Sequence, residues 1–259
     1  MDVSPFLKQP MVGSRVMVTR PIQSNDGLVE RLRQLGAEVI VQPTIAIEPP
    51  ADWAPVDQAL ARLDQFDWLV FLSVHGVRFF WNRLAEVHGL GRLDAVRLAA
   101  IGPGTAGELA RLGRTADLMP ERFCAEALAD RLTPEAAGRS FLIARASRGR
   151  EVLADRLTAA GATVEQVVVY SSVDVEQADP TVSAALQANE IDWITVTSSA
   201  IARSLVRLFG KNLRRAKLAS ISPLTSETLI ELGYRPTVEA IDATMAGLVT
   251  AIHDYLVYY

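Results

Sequence analysis

The sequence predicts an α/β fold made of two flavodoxin-like, doubly wound parallel-sheet domains. Three observations carry this. Short β-branched or apolar runs alternate with helical patterns of roughly 10–15 residues, which is the signature of βαβ units and a parallel sheet. The chain also repeats once. VMVTRPIQSNDGLVERLRQLGAEV (16–39) matches FLIARASRGREVLADRLTAAGATV (141–164), and FDWLVFLSVHGVRFF (66–80) matches IDWITVTSSAIARSL (191–205), both 125 positions further on. One period near half the chain is a duplication, since solenoids repeat every roughly 20–50 residues. Finally, LAAIGPGTAGELARLG (98–113) aligns without gaps with LASISPLTSETLIELG (218–233), a strand-like run followed by Pro, a hydroxyl and a helical pattern.

Strands are expected at 15–19, 38–41, 68–73, 97–101 and 115–118 in the first half, and at 140–144, 163–167, 193–197, 217–221 and 236–239 in the second. Val, Ile, Thr and Trp dominate several of these runs, as a pleated, packed surface favours. Helices should follow most strands and end at Gly36, Gly113, Gly161 and Gly233. The offset drops from 125 at Ser73/Ser198 to 120 at Thr105/Thr225, which predicts a longer helix or loop around 86–91 in the first copy. Two segments break the alternation, PTIAIEPP (43–50) and VVVYSSVDV (167–175). They occupy the same place in each repeat, look like strands running on past their sheets, and could pair as a connector between the domains. Pro43, Pro49 and Pro50 suit an edge or linker.

With 259 residues, 49% of them apolar and 22% charged, the chain is globular in composition and long enough for two medium domains. A net charge of −4 argues against a general nucleic-acid or anionic-membrane surface. The lone Cys124 gives no disulfide framework or metal set and is expected to be a buried, unreactive thiol. His75, His88 and His253 show no metal-ligand spacing. The N-terminal MDVSPFLKQPMVGSRV lacks an export-signal core, and no run approaches the ~18 apolar residues of a membrane span. A soluble, cytoplasmic protein without metal is the expectation.

Gly102, Gly104 and Gly107 spell G-x-G-x-x-G, a dinucleotide fingerprint. Three features oppose that reading. The motif lies far from the first β-α turn, Pro103 has no N–H for an anion, and the second copy replaces the glycines by Ser222, Leu224 and Glu227.

In doubly wound sheets ligands bind beyond the carboxyl ends of the strands, where Arg20, Ser73, Thr105, Arg145, Ser198 and Thr225 all fall. A ligand in a cleft between two facing domains would meet all six. Helix starts offer unpaired N–H groups and partial positive charge, so the four hydroxyls fit a ligand with several anionic groups; equally, they fit plain helix caps. Arg20 and Arg145 suit bidentate clamping of carboxylates, or surface ion pairs. The cluster ASRGR (146–150) adds positive charge. Tyr170 is a phenol donor or a packed aromatic. No Ser-His-Asp or Cys-His arrangement is legible, so an enzyme built on this chain would rely on binding and orientation.

VMVTRP (16–21), PTIAIEP (43–49), FLSVHGVRFF (71–80), AAIGPGTAGEL (99–109), the Tyr of VVVYSSV (167–173), TVTSSAIARSL (195–205) and ASISPLTSETLIELGYRP (219–236) together resemble the uroporphyrinogen-III synthase family in order and over nearly the whole chain. The resemblance implies two facing α/β domains joined by a two-stranded connector, with an interdomain cleft. Residues 13–42 and 176–259 would form one domain, 50–166 the other, and 43–49 and 167–175 the connector strands. The implied reaction is cofactor-free cyclisation of hydroxymethylbilane, a linear tetrapyrrole with eight carboxylates, to uroporphyrinogen III with inversion of ring D and loss of water. Tyr170 takes the place of the family's recurrent Tyr and would assist hydroxyl departure. Ser73, Thr105, Ser198, Thr225 and the neighbouring Ser226, with Arg20 and Arg145, would bind substrate carboxylates. Leu72 stands where Thr is usual and Ser222 where Gly is usual. A monomer is expected, with transient contact with hydroxymethylbilane synthase. The rival reading is a non-catalytic, synthase-like module that senses a tetrapyrrole or another anion.

Overall fold

The computed structural model describes residues 9–21 and 27–258. Residues 1–8 of the N-terminal stretch and 22–26 of the first expected domain lie outside that range. Residues up to Ala46 and from Val173 onward form one compact unit, and Ile47–Ser172 form the other.

In chain order the first unit opens with β1 (Arg15–Val18), α1 (Leu28–Gln34) and β2 (Glu38–Val41). Next come β3 (Ile45–Glu48), α2 (Ala54–Ala61), β4 (Trp68–Phe71), α3 (Val74–Val87), β5 (Arg97–Ala100) and α4 (Pro103–Arg111). They are followed by α5 (Ala125–Leu132), β6 (Ser140–Ala146), α6 (Val152–Ala159) and β7 (Thr163–Asp174). The return through the first unit adds α7 (Pro180–Gln187), β8 (Trp193–Val196), α8 (Ser199–Phe209), β9 (Lys217–Ser220), α9 (Pro223–Glu231), β10 (Val238–Glu239) and α10 (Met245–Tyr258).

The first unit's sheet runs β10-β9-β8-β1-β2 and its pairs are parallel. Counted within the unit this is the flavodoxin-like order 2-1-3-4-5. The second sheet runs β3-β7-β6-β4-β5. By the repeat, β6, β7, β4 and β5 correspond to β1, β2, β8 and β9, so both sheets share one spatial order. The second is a permuted copy that the chain enters in the middle, with β3 added beyond β7.

Helices cover both faces of each sheet, and this explains the near-continuous apolar strands. In the second unit Leu69, Phe71, Leu98, Ala100, Leu142 and Ala144 feed one core cluster. The alternate residues Trp68, Val70, Ala99, Phe141 and Ile143 feed another. The repeated Asp-Trp pair serves the opposite ends of the strands. Asp67 Oδ2 accepts from Ser140 N at 2.8 Å, and Asp192 Oδ2 from Arg15 N at 2.8 Å, each tying two strand starts together. The adjoining Trp rings carry cations, Arg97 at 3.9 Å over Trp68 and Lys217 at 5.6 Å over Trp193.

Several expectations need amendment. The strand expected at 115–118 is reduced to a parallel bridge between Leu118 and Ala99. There the Asp117 carboxylate takes the Leu98 amide at 2.7 Å, so a side chain occupies a donor that a strand would use. At 236–239 only Val238–Glu239 is strand, because Pro236 has no N–H for a ladder. As expected, 167–175 runs on from the strand at 163–167, and the two make a single long strand, β7. The extra residues of the first copy are 85–89. Three of them lengthen α3, which has 14 residues against 11 in α8, and His88 and Gly89 make the turn that follows. Cys124 is half-buried at the start of α5 instead of sealed in the core.

Gly36, Gly113, Gly161 and Gly233 follow helices with φ of +93°, +82°, +87° and +86°, where a side chain is strained. Packing between α3 and α4 rests on a buried ion pair. Glu108, 6% exposed, accepts from Arg78 at 2.8 and 3.1 Å and from Arg111 at 2.6 Å. Arg78 first, then Arg111, holds the Glu108 carboxyl at about 2, below its ordinary value.

Two stability outcomes follow from these local geometries. Nothing lies within 4 Å of a Cβ built on Gly113. Gly113→Ala therefore isolates the cost of the left-handed backbone and should destabilise by about 1 kcal/mol in urea unfolding. Glu108→Gln should cost about 1.5–3 kcal/mol at neutral pH, the range for hydrogen bonds to charged groups. Because the folded-state pKa is depressed, this contribution is present above the ordinary carboxylate range and is lost as pH falls toward about 2. The gap between wild type and variant should accordingly shrink on acidification, and a gap that stayed constant would contradict the ion-pair account.

Candidate active site

In the second unit β4 hands the chain to α3 through Ser73, whose backbone is extended (φ −166°, ψ 160°) and whose Oγ accepts from Gly76 N at 2.9 Å. This is an N-cap that satisfies one of the orphan amides of the helix start. Gly76 sits at a close approach, since a Cβ there would lie 3.2 Å from the Ala144 carbonyl oxygen on β6.

Ser73 Oγ also lies 3.0 Å from the Tyr170 hydroxyl, although the two residues are 97 positions apart. Tyr170 owes its direction to an irregularity of β7. The β6–β7 register shifts between Arg145 and Ala146, so Arg145 faces Val168 but Ala146 faces Tyr170. A bulge breaks the two-residue alternation, and the consecutive Val169 and Tyr170 are both buried. The phenol ring stacks on Phe79 at 5.9 Å and leans on His75 at 5.5 Å. Burial pushes its hydroxyl above its ordinary value, against the lowering effect of the Ser73 bond. It therefore stays protonated at neutral pH, as a donor.

Of the two ring partners, His75 and Phe79, the sequence points only to His75, as a histidine without metal-ligand spacing, and the structure places it in the first turn of α3. Their i, i+4 spacing places them on one face of α3, and that was the signal to read.

α4 starts differently. Gly102 is its extended N-cap, Pro103 the first residue, and Thr105 is buried in the first turn instead of capping. A Cβ on Gly102 would meet Phe123 Cβ at 3.1 Å, whereas Gly107 has open space around it. Side-chain packing thus accounts for the first glycine of the G-x-G-x-x-G match, and the third has no steric requirement.

The first unit carries the matching helix starts. Ser198 is extended and caps α8, its Oγ accepting from Ile201 N at 3.2 Å. α9 is capped by Ser222, which accepts from Thr225 N at 3.4 Å and pairs with the Thr225 hydroxyl at 3.1 Å. Thr225 and Ser226 are buried in the first turn, and Ser226 Oγ has no hydrogen-bond partner among the described residues. Thr228 ties the two helices together by donating to Ser199 Oγ at 2.8 Å. Here a hydroxyl pair does what Arg78 and Glu108 do in the other unit.

Of the two arginines, Arg20 donates from Nη1 to Met245 Sδ at 2.9 Å. Arg145 is paired with Glu151 and donates to Gln166 Oε1 at 2.8 Å, so a carboxylate of the chain itself already occupies its fork. Among the described residues no His/Cys/Asp/Glu group could hold a metal ion, and no helix is long and apolar enough to cross a membrane.

The family model described as uroporphyrinogen-III synthase HemD matches residues 26–250. The uroporphyrinogen-III synthase of Synechococcus elongatus is 34% identical over 96% of this chain and 97% of its own length. That of Escherichia coli is 28% identical over 92% and 99%. Among solved structures, a mutant uroporphyrinogen III synthase from Thermus thermophilus covers 95% of this chain and 100% of its own, with a TM-score of 0.65 at 16% identity. The enzyme from Helicobacter pylori gives 0.62 at 16% identity, covering 93% and 99%. These two likenesses concern the fold. On the family match and the identity to the Synechococcus protein, the chain belongs to the uroporphyrinogen-III synthase family.

Proposed function

We propose that this chain cyclises hydroxymethylbilane to uroporphyrinogen III in the cytoplasm, without a cofactor, and that Tyr170 is the acid that assists departure of the terminal hydroxyl. Family membership supports the reaction class. The observation that carries the residue assignment is the buried, protonated Tyr170 phenol, hydrogen-bonded to the cap of α3 beyond the end of β4.

As the pyrrole nitrogen lone pair pushes in, the C–O bond of the hydroxymethyl group breaks, and the leaving oxygen takes the Tyr170 proton to depart as water. Ring D attacks the resulting azafulvene through its substituted carbon, the spiro intermediate fragments, and reclosure inverts the ring. The proton lost when the last pyrrole becomes aromatic again restores the phenol.

Acetate and propionate carboxylates suit the N–H groups and partial positive charge of the α3, α4, α8 and α9 starts. Ser198 and Arg20 are the side chains proposed to join them. Ser73 is engaged with Gly76 and Tyr170, so at α3 the backbone carries the contact. Thr105, Thr225 and Ser226, nearly sealed from solvent, act by shaping the first turns of α4 and α9. Arg145 is left with Glu151. Action as a monomer, with transient contact with hydroxymethylbilane synthase, completes the reading.

The test is an isomer assay with hydroxymethylbilane generated in situ, followed by oxidation and chromatographic separation of type I and type III uroporphyrins. Wild type should give type III, and type I alone from folded protein would turn the reading to a non-catalytic binding module. Tyr170→Phe should fold normally and lose about 100-fold in kcat, the low end of what a positioned acid contributes. Full activity in that variant would remove Tyr170 from the chemistry.

A further inference from the structure

We infer that Ser73 is a positioning residue that sets the direction of the Tyr170 proton, through a one-way hydrogen-bond relay from Gly76 N–H to Ser73 Oγ–H to the Tyr170 hydroxyl. This rests on the reading of Tyr170 as the acid.

The distances alone leave the Ser73–Tyr170 bond ambiguous, since either hydroxyl can donate at 3.0 Å. The third member favours one direction. A backbone amide can only donate, and Gly76 N at 2.9 Å makes Ser73 Oγ an acceptor at the positive end of α3. An oxygen that accepts from such a donor becomes a stronger donor through its own hydrogen, because hydrogen bonds in a chain polarise one another. The arrangement in which Ser73 donates to Tyr170 therefore continues the polarity of the helix start and leaves the phenol proton unspent. In the reverse arrangement Tyr170 would first have to break its bond to Ser73 before giving its proton to a leaving oxygen. Phe79 stacks on the ring and His75 leans against it, and the β7 bulge holds its backbone, with Ser147 N donating to the Tyr170 carbonyl at 2.9 Å. The direction of the hydroxyl is then the one freedom left for Ser73 to fix.

Helix capping and proton direction are separable by substitution. Ser73→Thr keeps the cap and the donor. Ser73→Ala removes both. Ser73→Asp keeps a cap oxygen for Gly76 but has no hydrogen to give, and it turns the Tyr170 proton toward its own carboxylate. kcat and KM for type III formation would be measured for these three, for Tyr170→Phe and for Ser73→Ala/Tyr170→Phe, beside thermal midpoints. The relay requires Thr to stay within a few fold of wild type in kcat. Ala should fall roughly 10-fold or more, part of the 10²–10⁴ range for general acid catalysis. Asp should fall as far as Tyr170→Phe in kcat despite a midpoint close to wild type, with any repulsion of the anionic substrate confined to KM. The double variant should be no slower than Tyr170→Phe alone. A Ser73→Ala or Ser73→Asp enzyme with wild-type kcat, beside an impaired Tyr170→Phe, overturns the relay and leaves the function standing. Type I product alone from the wild type overturns the reading of Tyr170 and the relay with it.

Discussion

A strand of a parallel sheet hands its chain to a helix at its carboxyl end, and the first amides of that helix must find acceptors within the turn. At four equivalent junctions the chain meets this demand with an extended residue, Ser73, Gly102, Ser198 and Ser222, whose φ values lie between −163° and −173°. Three of the four supply a hydroxyl oxygen to an amide three residues on. The fourth, Gly102, has no side chain to offer and leaves its helix start without a side-chain cap. The polar groups proposed for binding and catalysis cluster around these turns because the fold requires polar, short residues there before any substrate is considered.

Much of this was legible in the sequence because duplication writes each rule twice. Asp67-Trp68 and Asp192-Trp193 announce a strand start, and in both units the Asp binds the amide of the neighbouring strand. What the sequence hid depends on single side chains that compete with the pattern. Asp117 takes an amide that a fifth strand would have used, and nothing in the run 115–118 distinguishes it from a strand until that bond is seen. Arg145 aligns with Arg20 in the repeat, yet Glu151, six residues on, claims it. Alignment equates positions, whereas partners are set by neighbours outside the aligned motif.

The hydroxyl set divides along the same line. Ser73 and Ser198 sit at the cap as their position implied. Thr105 and Thr225 align just as well but lie three residues into their helices, behind Pro103 and Pro223, where they are buried. Proline at the first helical position explains the shift: it fixes φ for the helix and moves the cap to the residue before it. The P-x-Thr motif thus marks the first turn, and the residue ahead of Pro marks the cap.

Tyr170 could not have been oriented from the sequence, because orientation comes from a register shift. On an unbroken strand Val169 and Tyr170 would face opposite sides of the sheet. The bulge against Arg145 and Ala146 turns both inward, so the tyrosine ring enters a core cluster while its oxygen still reaches Ser73. A bulge disrupts the ladder locally. Its effect is to bring a phenol to the cap of α3, within hydrogen-bonding distance of a hydroxyl that accepts from a helix-start amide. The irregular strand and the capped helix therefore belong to one construction: the helix start polarises Ser73, and the bulge delivers Tyr170 to it.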